Sequence, residues 1–154
     1  VRKVAGNVTL IGPPERYREL GYNVIADRAG GLGPLGGVYT ALTTTHSEWN
    51  LIVACDMPFV TTELFEALFA DAESGPSTTD CIVPETITEP GRAGGIDPLC
   101  AVYQRRCAHA AQRALGRNLL KMHDFVSSLR HRRHRVADAA PLANFNLPAE
   151  WSER

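Results

Sequence analysis

Residues 51–55 read Leu-Ile-Val-Ala-Cys, apolar at every position, and run directly into Asp56-Met57-Pro58. A half-exposed strand would alternate polar and apolar side chains, and an amphipathic helix would show polar residues within one turn. An unbroken apolar run this short, with β-branched members, is the pattern of a strand covered on both faces. It predicts an interior strand of a parallel sheet with helices above and below. Pro58 cannot extend such a ladder, so Asp56 falls at the strand's carboxyl end.

The rest of the chain fits that frame. Residues 7–11 are rich in β-branched side chains and stop at Gly12-Pro13-Pro14, which predicts a short strand and a breaker. A helix over 14–20 closed by Gly21 and a strand over 23–26 ending at Asp27 follow. Residues 29–37 form a glycine-rich loop, and Val38, Ala41 and Leu42 recur at helical spacing, so helix is expected from about Gly36. Thr61 or Thr62 can cap a helix in which Leu64 and Leu68, and Phe65 and Phe69, are i,i+4 pairs. Strands are predicted over 80–83 and 99–103, a helix over 105–115, and a last strand near 135–136. Strands alternating with helices imply βαβ units. The predicted fold class is α/β, a three-layer sandwich with a mainly parallel sheet, and one domain over 1–154. Residues 74–79 and 84–95 read as surface loops, the second placed to face substrate.

Bulk properties narrow the function. With 44% hydrophobic residues in 154, a core forms without disulfides or structural metal, and a net charge of -1 gives no general attraction for nucleic acid or an anionic membrane. No apolar run approaches the roughly 18 residues of a membrane span, and residues 1–20 lack the parts of a signal peptide. A cytoplasmic protein is expected. The four cysteines are widely spaced without a C-x-x-C pair, the pattern of reduced and mostly buried thiols.

Ligands of an open parallel sheet collect beyond the strands' carboxyl ends, where Asp56 lies. A carboxylate there suits Mg²⁺, a hard ion held by one or two carboxylates and substrate phosphates, although an Asp opening a turn before Pro58 reads equally well. Gly30-Gly31-Leu32-Gly33-Pro34-Leu35-Gly36-Gly37 leads into a helix, so backbone N–H groups there can approach an anion. It matches neither G-x-x-x-x-G-K-[ST] nor G-x-G-x-x-G, and alone it reads as a plain connection. Asp27 suits a ribose hydroxyl, a water-mediated metal contact or a cap. The basic run Arg130-His131-Arg132-Arg133-His134-Arg135 reads as a solvated turn and edge strand.

Taken in series, Gly33-Pro34-Leu35-Gly36-Gly37, Asp56-Met57-Pro58-Phe59, Asp97-Pro98-Leu99-Cys100-Ala101-Val102-Tyr103 and Asn144-Phe145-Asn146-Leu147-Pro148 resemble the molybdenum cofactor guanylyltransferase family, in the family's order and across about residues 7–148. The Cys55-Asp56-Met57-Pro58 form is closer to these enzymes than to the related cytidylyltransferases. The resemblance implies a Rossmann-like nucleotidyltransferase fold, Mg²⁺ as cofactor, and transfer of GMP from GTP to molybdenum-bearing molybdopterin with release of pyrophosphate. Acceptor molybdoenzymes or their chaperones are the implied protein partners. By motif position Asp56 is the catalytic, metal-holding residue. Asp27, Gly33, Pro34, Leu35 and Gly36 join it on the nucleotide side, and Asn144 and Asn146 lie on the molybdopterin side, unless the two asparagines only cap and tie down the tail.

The pattern departs from the family in two places. Family members open with a strand and a Leu-Ala-Gly-Gly loop, followed by Arg and Lys that bind the triphosphate, and this sequence has no such segment. The expectation is a domain without that strand and loop, which binds GTP weakly and does not transfer it. At Asp97 relatives carry Gln or His, so no substrate contact is carried over. The rival readings are a CTP-dependent or sugar-phosphate nucleotidyltransferase and a non-catalytic nucleotide- or cofactor-binding adaptor.

Overall fold

A computed structural model describes residues 1–87 and 95–144. Its elements run α1 (Arg2–Ala5), β1 (Thr9–Ile11), α2 (Pro14–Tyr17), a 3₁₀ turn (Arg18–Leu20), β2 (Asn23–Ile25), α3 (Pro34–Thr44), β3 (Trp49–Val53), α4 (Thr62–Ser74), β4 (Cys81–Thr86), β5 (Cys100–Gln104), α5 (Cys107–Gly116), α6 (Met122–Ser127), β6 (His131–Val136) and a 3₁₀ turn (Ala140–Leu142). β1 and β2 pair in parallel, and the other strands form a sheet in the order β3-β5-β4-β6. Within it β3 and β4 both run antiparallel to β5, while β6 runs parallel to β4. Three of its four strands therefore point one way, and only β5 opposes them.

Two cores cover the two faces of that sheet. On one, Leu35, Val38 and Leu42 of α3, Cys107 and Ala111 of α5, and Met122, Phe125 and Val126 of α6 pack with Cys81, Val83, Ala101 and Tyr103. On the other, Leu64, Phe65, Leu68 and Ala72 of α4 pack with Ile82, Cys100, Val102 and Met57. Helices, sheet and helix make the three layers expected. Burying a side chain such as Leu68 or Phe65 contributes about 1.5–3 kcal/mol against leaving it in water. The start of α4 is fixed by Thr61, whose hydroxyl accepts the Leu64 N–H at 3.3 Å.

The run at 51–55 corrects one expectation. β3 is not an interior parallel strand: it ends the four-strand order and pairs antiparallel with β5, Leu51 opposite Val102. An apolar run reports cover on both faces, and both faces are partly covered, since half-buried Ile52 packs toward the first core and half-buried Leu51 and Val53 toward the second, while Cys55 is exposed. It says nothing about which edges are paired or in which direction. The most deeply buried strands are β5, buried at four of five residues, and β4, buried at its first four of six. Among the described residues no helix is long and apolar enough to cross a membrane. The loop expected over 84–95 falls largely on 88–94, outside the described residues.

Candidate functional site

The glycine-rich connection enters α3 two residues earlier than the helical spacing suggests. Gly33, at φ 69°, turns the chain with a backbone that a side chain would strain, and Pro34 takes the first helical turn, where its missing N–H and fixed φ cost nothing. Leu35 and Gly36 are therefore helical, and Leu35 is wholly buried, so its side chain belongs to the core.

Asp27 ties that turn to the helix. Its Oδ1 accepts the Ala29 N–H and the Thr40 hydroxyl, both at 2.9 Å, while the Arg28 N–H donates to Thr40 Oγ1 at 3.0 Å. Gly36 sits hard against this knot: a Cβ there would lie 2.7 Å from the Ala29 carbonyl oxygen and 3.2 Å from Asp27 Oδ2. No side chain larger than hydrogen fits without moving the 27–29 backbone.

Asp56 occupies a turn three residues past the end of β3, half-buried. Its Oδ1 is buried and has no hydrogen-bond partner among the described residues. A buried carboxylate oxygen left this way is costly unless a cation satisfies it. No cluster of three or more His, Cys, Asp or Glu able to hold a metal occurs among the described residues. The donor set at Asp56 therefore suits a hard ion that draws its remaining ligands from water and phosphate, as Mg²⁺ does, and not a zinc-type cage.

Asp97 lies in the turn that precedes β5. Its Oδ1 accepts the Leu99 N–H at 3.1 Å, and its own N–H donates to the Pro84 carbonyl at 3.0 Å. Burial pushes the Asp97 carboxyl up, the Asp56 charge adds to that, and the Leu99 N–H and His123 pull the other way. Sequence reading gave Asp97 no role and did not find α6, which carries His123. The antiparallel pairing of β3 with β5 ends at Val53 and Cys100, which puts the turns that carry 56 and 97 at the same end of the sheet.

The other expected positions are more dispersed. Asn144 is exposed just beyond the last 3₁₀ turn, and Asn146 lies outside the described residues. Asp80 is a charged group of another kind. It precedes β4, at the sheet edge opposite Asp56, and receives Arg106 Nε at 2.8 Å and Arg130 Nε and N–H at 3.0 Å. Burial raises its carboxyl, and the bonds from Arg130 and Arg106 more than reverse that, holding it at about 2. The basic run forms edge strand β6, as expected, with Arg133 on Glu85 at 2.6 Å and His134 on Asp71 at 2.9 Å. Cys81, Cys100 and Cys107 are buried and Cys55 is exposed. Burial pushes Cys100 and Cys107 up to about 12, so both stay neutral thiols at pH 7.

With this geometry in hand, comparison with known proteins is informative. Residues 1–135 match the family profile described as MobA-like NTP transferase domain. A protein of Flavobacterium johnsoniae named "Probable molybdenum cofactor guanylyltransferase" is 29% identical over 94% of this chain and 70% of its own length. A Clostridium perfringens protein of the same name is 31% identical over 71% of this chain and 50% of its own length. The chain thus spans from 50% to 70% of the length of these two relatives. Among solved structures, molybdopterin-guanine dinucleotide biosynthesis protein A from Archaeoglobus fulgidus superposes with a TM-score of 0.73, covering 92% of this chain and 73% of that one at 22% identity. At that identity the likeness is one of fold.

Proposed function

Starting from the fact that this chain belongs to the MobA-like NTP transferase family, we propose that its activity is transfer of GMP from GTP to molybdenum-bearing molybdopterin. In that reaction a phosphate oxygen of the pterin attacks the α-phosphorus of GTP. A new P–O bond forms, the α–β phosphoanhydride breaks, and pyrophosphate leaves with the bonding pair. Two relatives that carry the guanylyltransferase name support the choice of substrates. The observation that carries the reading is the buried Oδ1 of Asp56, just past the carboxyl end of β3 and without a hydrogen-bond partner among the described residues.

Asp56 is the residue that would hold Mg²⁺, which when bound supplies positive charge to the phosphate oxygens of the nucleotide. The start of α3 serves the nucleotide through its backbone: the Gly33 turn keeps side chains out of the way, and the Leu35 N–H is the first-turn amide offered to the ligand, since Pro34 has none and the Gly36 N–H donates to the Gly33 carbonyl at 3.1 Å. Asp27 acts by fixing that turn, because its Oδ1 is already shared by Ala29 and Thr40. Asn144 and Asn146 serve the pterin side. The dinucleotide product then passes to acceptor molybdoenzymes or their chaperones.

The test is pyrophosphate release and dinucleotide formation by the full-length protein with molybdopterin, Mg²⁺, and GTP or CTP. Acceptor-dependent turnover with GTP in strong preference to CTP is expected. Preference for CTP moves the protein to the sister activity, and nucleotide binding without turnover makes it a binding module.

A further inference from the structure

We propose that the exposed face of α5, marked by Arg105, His109, Arg113 and Arg117, docks a protein other than a second copy of this chain, through a helix of that partner that presents carboxylates. The inference goes beyond the nucleotidyltransferase reading and uses no residue of that site.

The four side chains recur at every fourth position, so they line one stripe of the helix and its flanks, and all four are exposed. Between Pro98 and His123 the sequence has five Lys and Arg and no Asp or Glu. Setting those five aside from a net charge of -1 leaves the other residues at -6, so the stripe is a local basic surface on an otherwise acidic chain. The opposite side of α5 is apolar, with Cys107 and Ala111 buried in the first core beside α3. α4 does not neutralise the stripe: it exposes Glu63, Glu66 and Glu73 but packs on the other face of the sheet.

Among the described residues, Arg105, Arg113 and Arg117 belong to no ion pair. The more conspicuous basic run at 130–135 is, by contrast, compensated: Arg130 meets Asp80, Arg133 meets Glu85 and His134 meets Asp71. Helix chemistry accounts for only part of the stripe. Arg113 and Arg117 lie at the carboxyl end, where a cation suits the macrodipole, but Arg105 lies at the amino end, where it opposes it, and the first turn holds no acidic residue. Like charges four apart also repel. A facing helix with carboxylates at the same interval, about 6 Å along the axis for four residues, makes each of these terms favourable. The stripe has no aromatic side chain to stack on bases or enter a membrane. Leu119, 54% exposed and two residues past Arg117, adds the apolar contact that protein interfaces combine with arginine. A second copy is the wrong partner, because its acidic α4 and its own α5 lie on opposite faces, and copies joined that way would stack without closing.

The probe is a fluorescent alanine-based helical peptide with Glu at every fourth position, and its control carries Gln there. Both are titrated with the full chain and with a variant combining Arg105→Gln, Arg113→Gln and Arg117→Gln. Anisotropy is followed in about 0.1 M and about 1 M salt, over which the screening length falls from about 10 to about 3 Å. We expect the Glu peptide to bind in the lower salt alone and the Gln peptide not to bind. The α5 variant should bind about tenfold more weakly, on the scale of three exposed ion pairs. A matched variant on β6, combining Arg132→Gln, Arg133→Gln and Arg135→Gln, should bind within about twofold of the unsubstituted chain. The melting temperature of the α5 variant should hold within about 2 °C, since no acceptor among the described residues is lost. Absence of Glu-peptide binding up to millimolar concentration, or equal losses in the two variants, overturns the proposal. Self-association in sedimentation that the α5 variant abolishes overturns it in favour of a second copy. Tighter binding of phosphatidylserine vesicles or of a DNA duplex than of the peptide, lost in the α5 variant, overturns it as well. Should the α5 variant fail to fold, amide shifts induced by the Glu peptide in the unsubstituted chain decide: shifts centred on 105–117 support the stripe, and shifts centred on 130–135 remove it.

Discussion

Two adjacent glycines in the first half of α3 should respond to the same substitution with opposite signs. At Gly36 an added Cβ meets the Ala29 carbonyl oxygen at 2.7 Å, closer than such contacts occur, and the neighbour is backbone that cannot swing aside. Forcing a methyl group into a packed site costs about 1–3 kcal/mol. Alanine's better helix propensity returns about 0.5–1 kcal/mol. The net for Gly36→Ala is a loss of up to about 2.5 kcal/mol, or a melting temperature lower by up to about 10 °C for a chain of this size. At Gly37 the nearest atom to an added Cβ is Ile11 Cγ2 at 4.0 Å, ordinary contact. Gly37→Ala should keep the propensity gain and melt about 1–4 °C higher. Thermal and denaturant unfolding of both variants measures the pair. Since relief of the clash moves the 27–29 turn, Gly36→Ala should also weaken GTP binding, measured by calorimetry. A Gly36→Ala variant as stable as Gly37→Ala would refute the close approach of α3 to that turn.

Other consequences follow from the fold around the site. Tyr103→Phe removes the hydroxyl that satisfies the buried Pro98 carbonyl, so it should destabilise by about 1–3 kcal/mol in urea unfolding; a loss below about 0.5 kcal/mol would mean that carbonyl finds another partner. Asp80 titrates near 2 in the folded chain against an ordinary 3.8. A depressed folded pKa contributes stability that is present above about 3.8 and lost as pH falls toward 2. The stability difference between the unsubstituted chain and Asp80→Asn should therefore be constant near neutrality and shrink between about pH 4 and 2, in denaturant melts across pH. A difference independent of pH would show that the arginines do not hold the charged form.

Much of this arrangement was legible in the residues, and the remainder was hidden for identifiable reasons. Local chemistry marked the Thr61 cap, the glycine closing the turn at 21, and the apolar faces of α4, because each depends on neighbours within a turn or two. The three layers followed from the doubly covered run at 51–55. Strand direction did not, since the same apolar pattern serves a strand in either orientation, and β5 reverses with no residue that announces it. That reversal is what puts the turns of Asp56 and Asp97, 41 positions apart in sequence, at the same end of the sheet. Asp27 reads from sequence as a ribose contact, a metal contact or a cap, and that its Oδ1 turns inward to Ala29 and Thr40 depends on a helix that begins seven residues later. α6 was missed because Met122, Phe125 and Val126 give less than two turns of periodicity.

The central claim, that Asp56 serves nucleotidyl transfer and not merely a turn before Pro58, is tested most directly by Asp56→Asn in the full-length protein. GMP transfer to molybdopterin would be measured at saturating Mg²⁺, with the folded fraction matched by thermal denaturation. Removing one ligand charge aimed at the phosphates should lower turnover about 10²-fold or more. The melting temperature should hold or rise, because the lost charge sits on an oxygen that no group among the described residues satisfies. Transfer at the unsubstituted rate, or a loss of rate that only follows a loss of folded protein, would contradict the account.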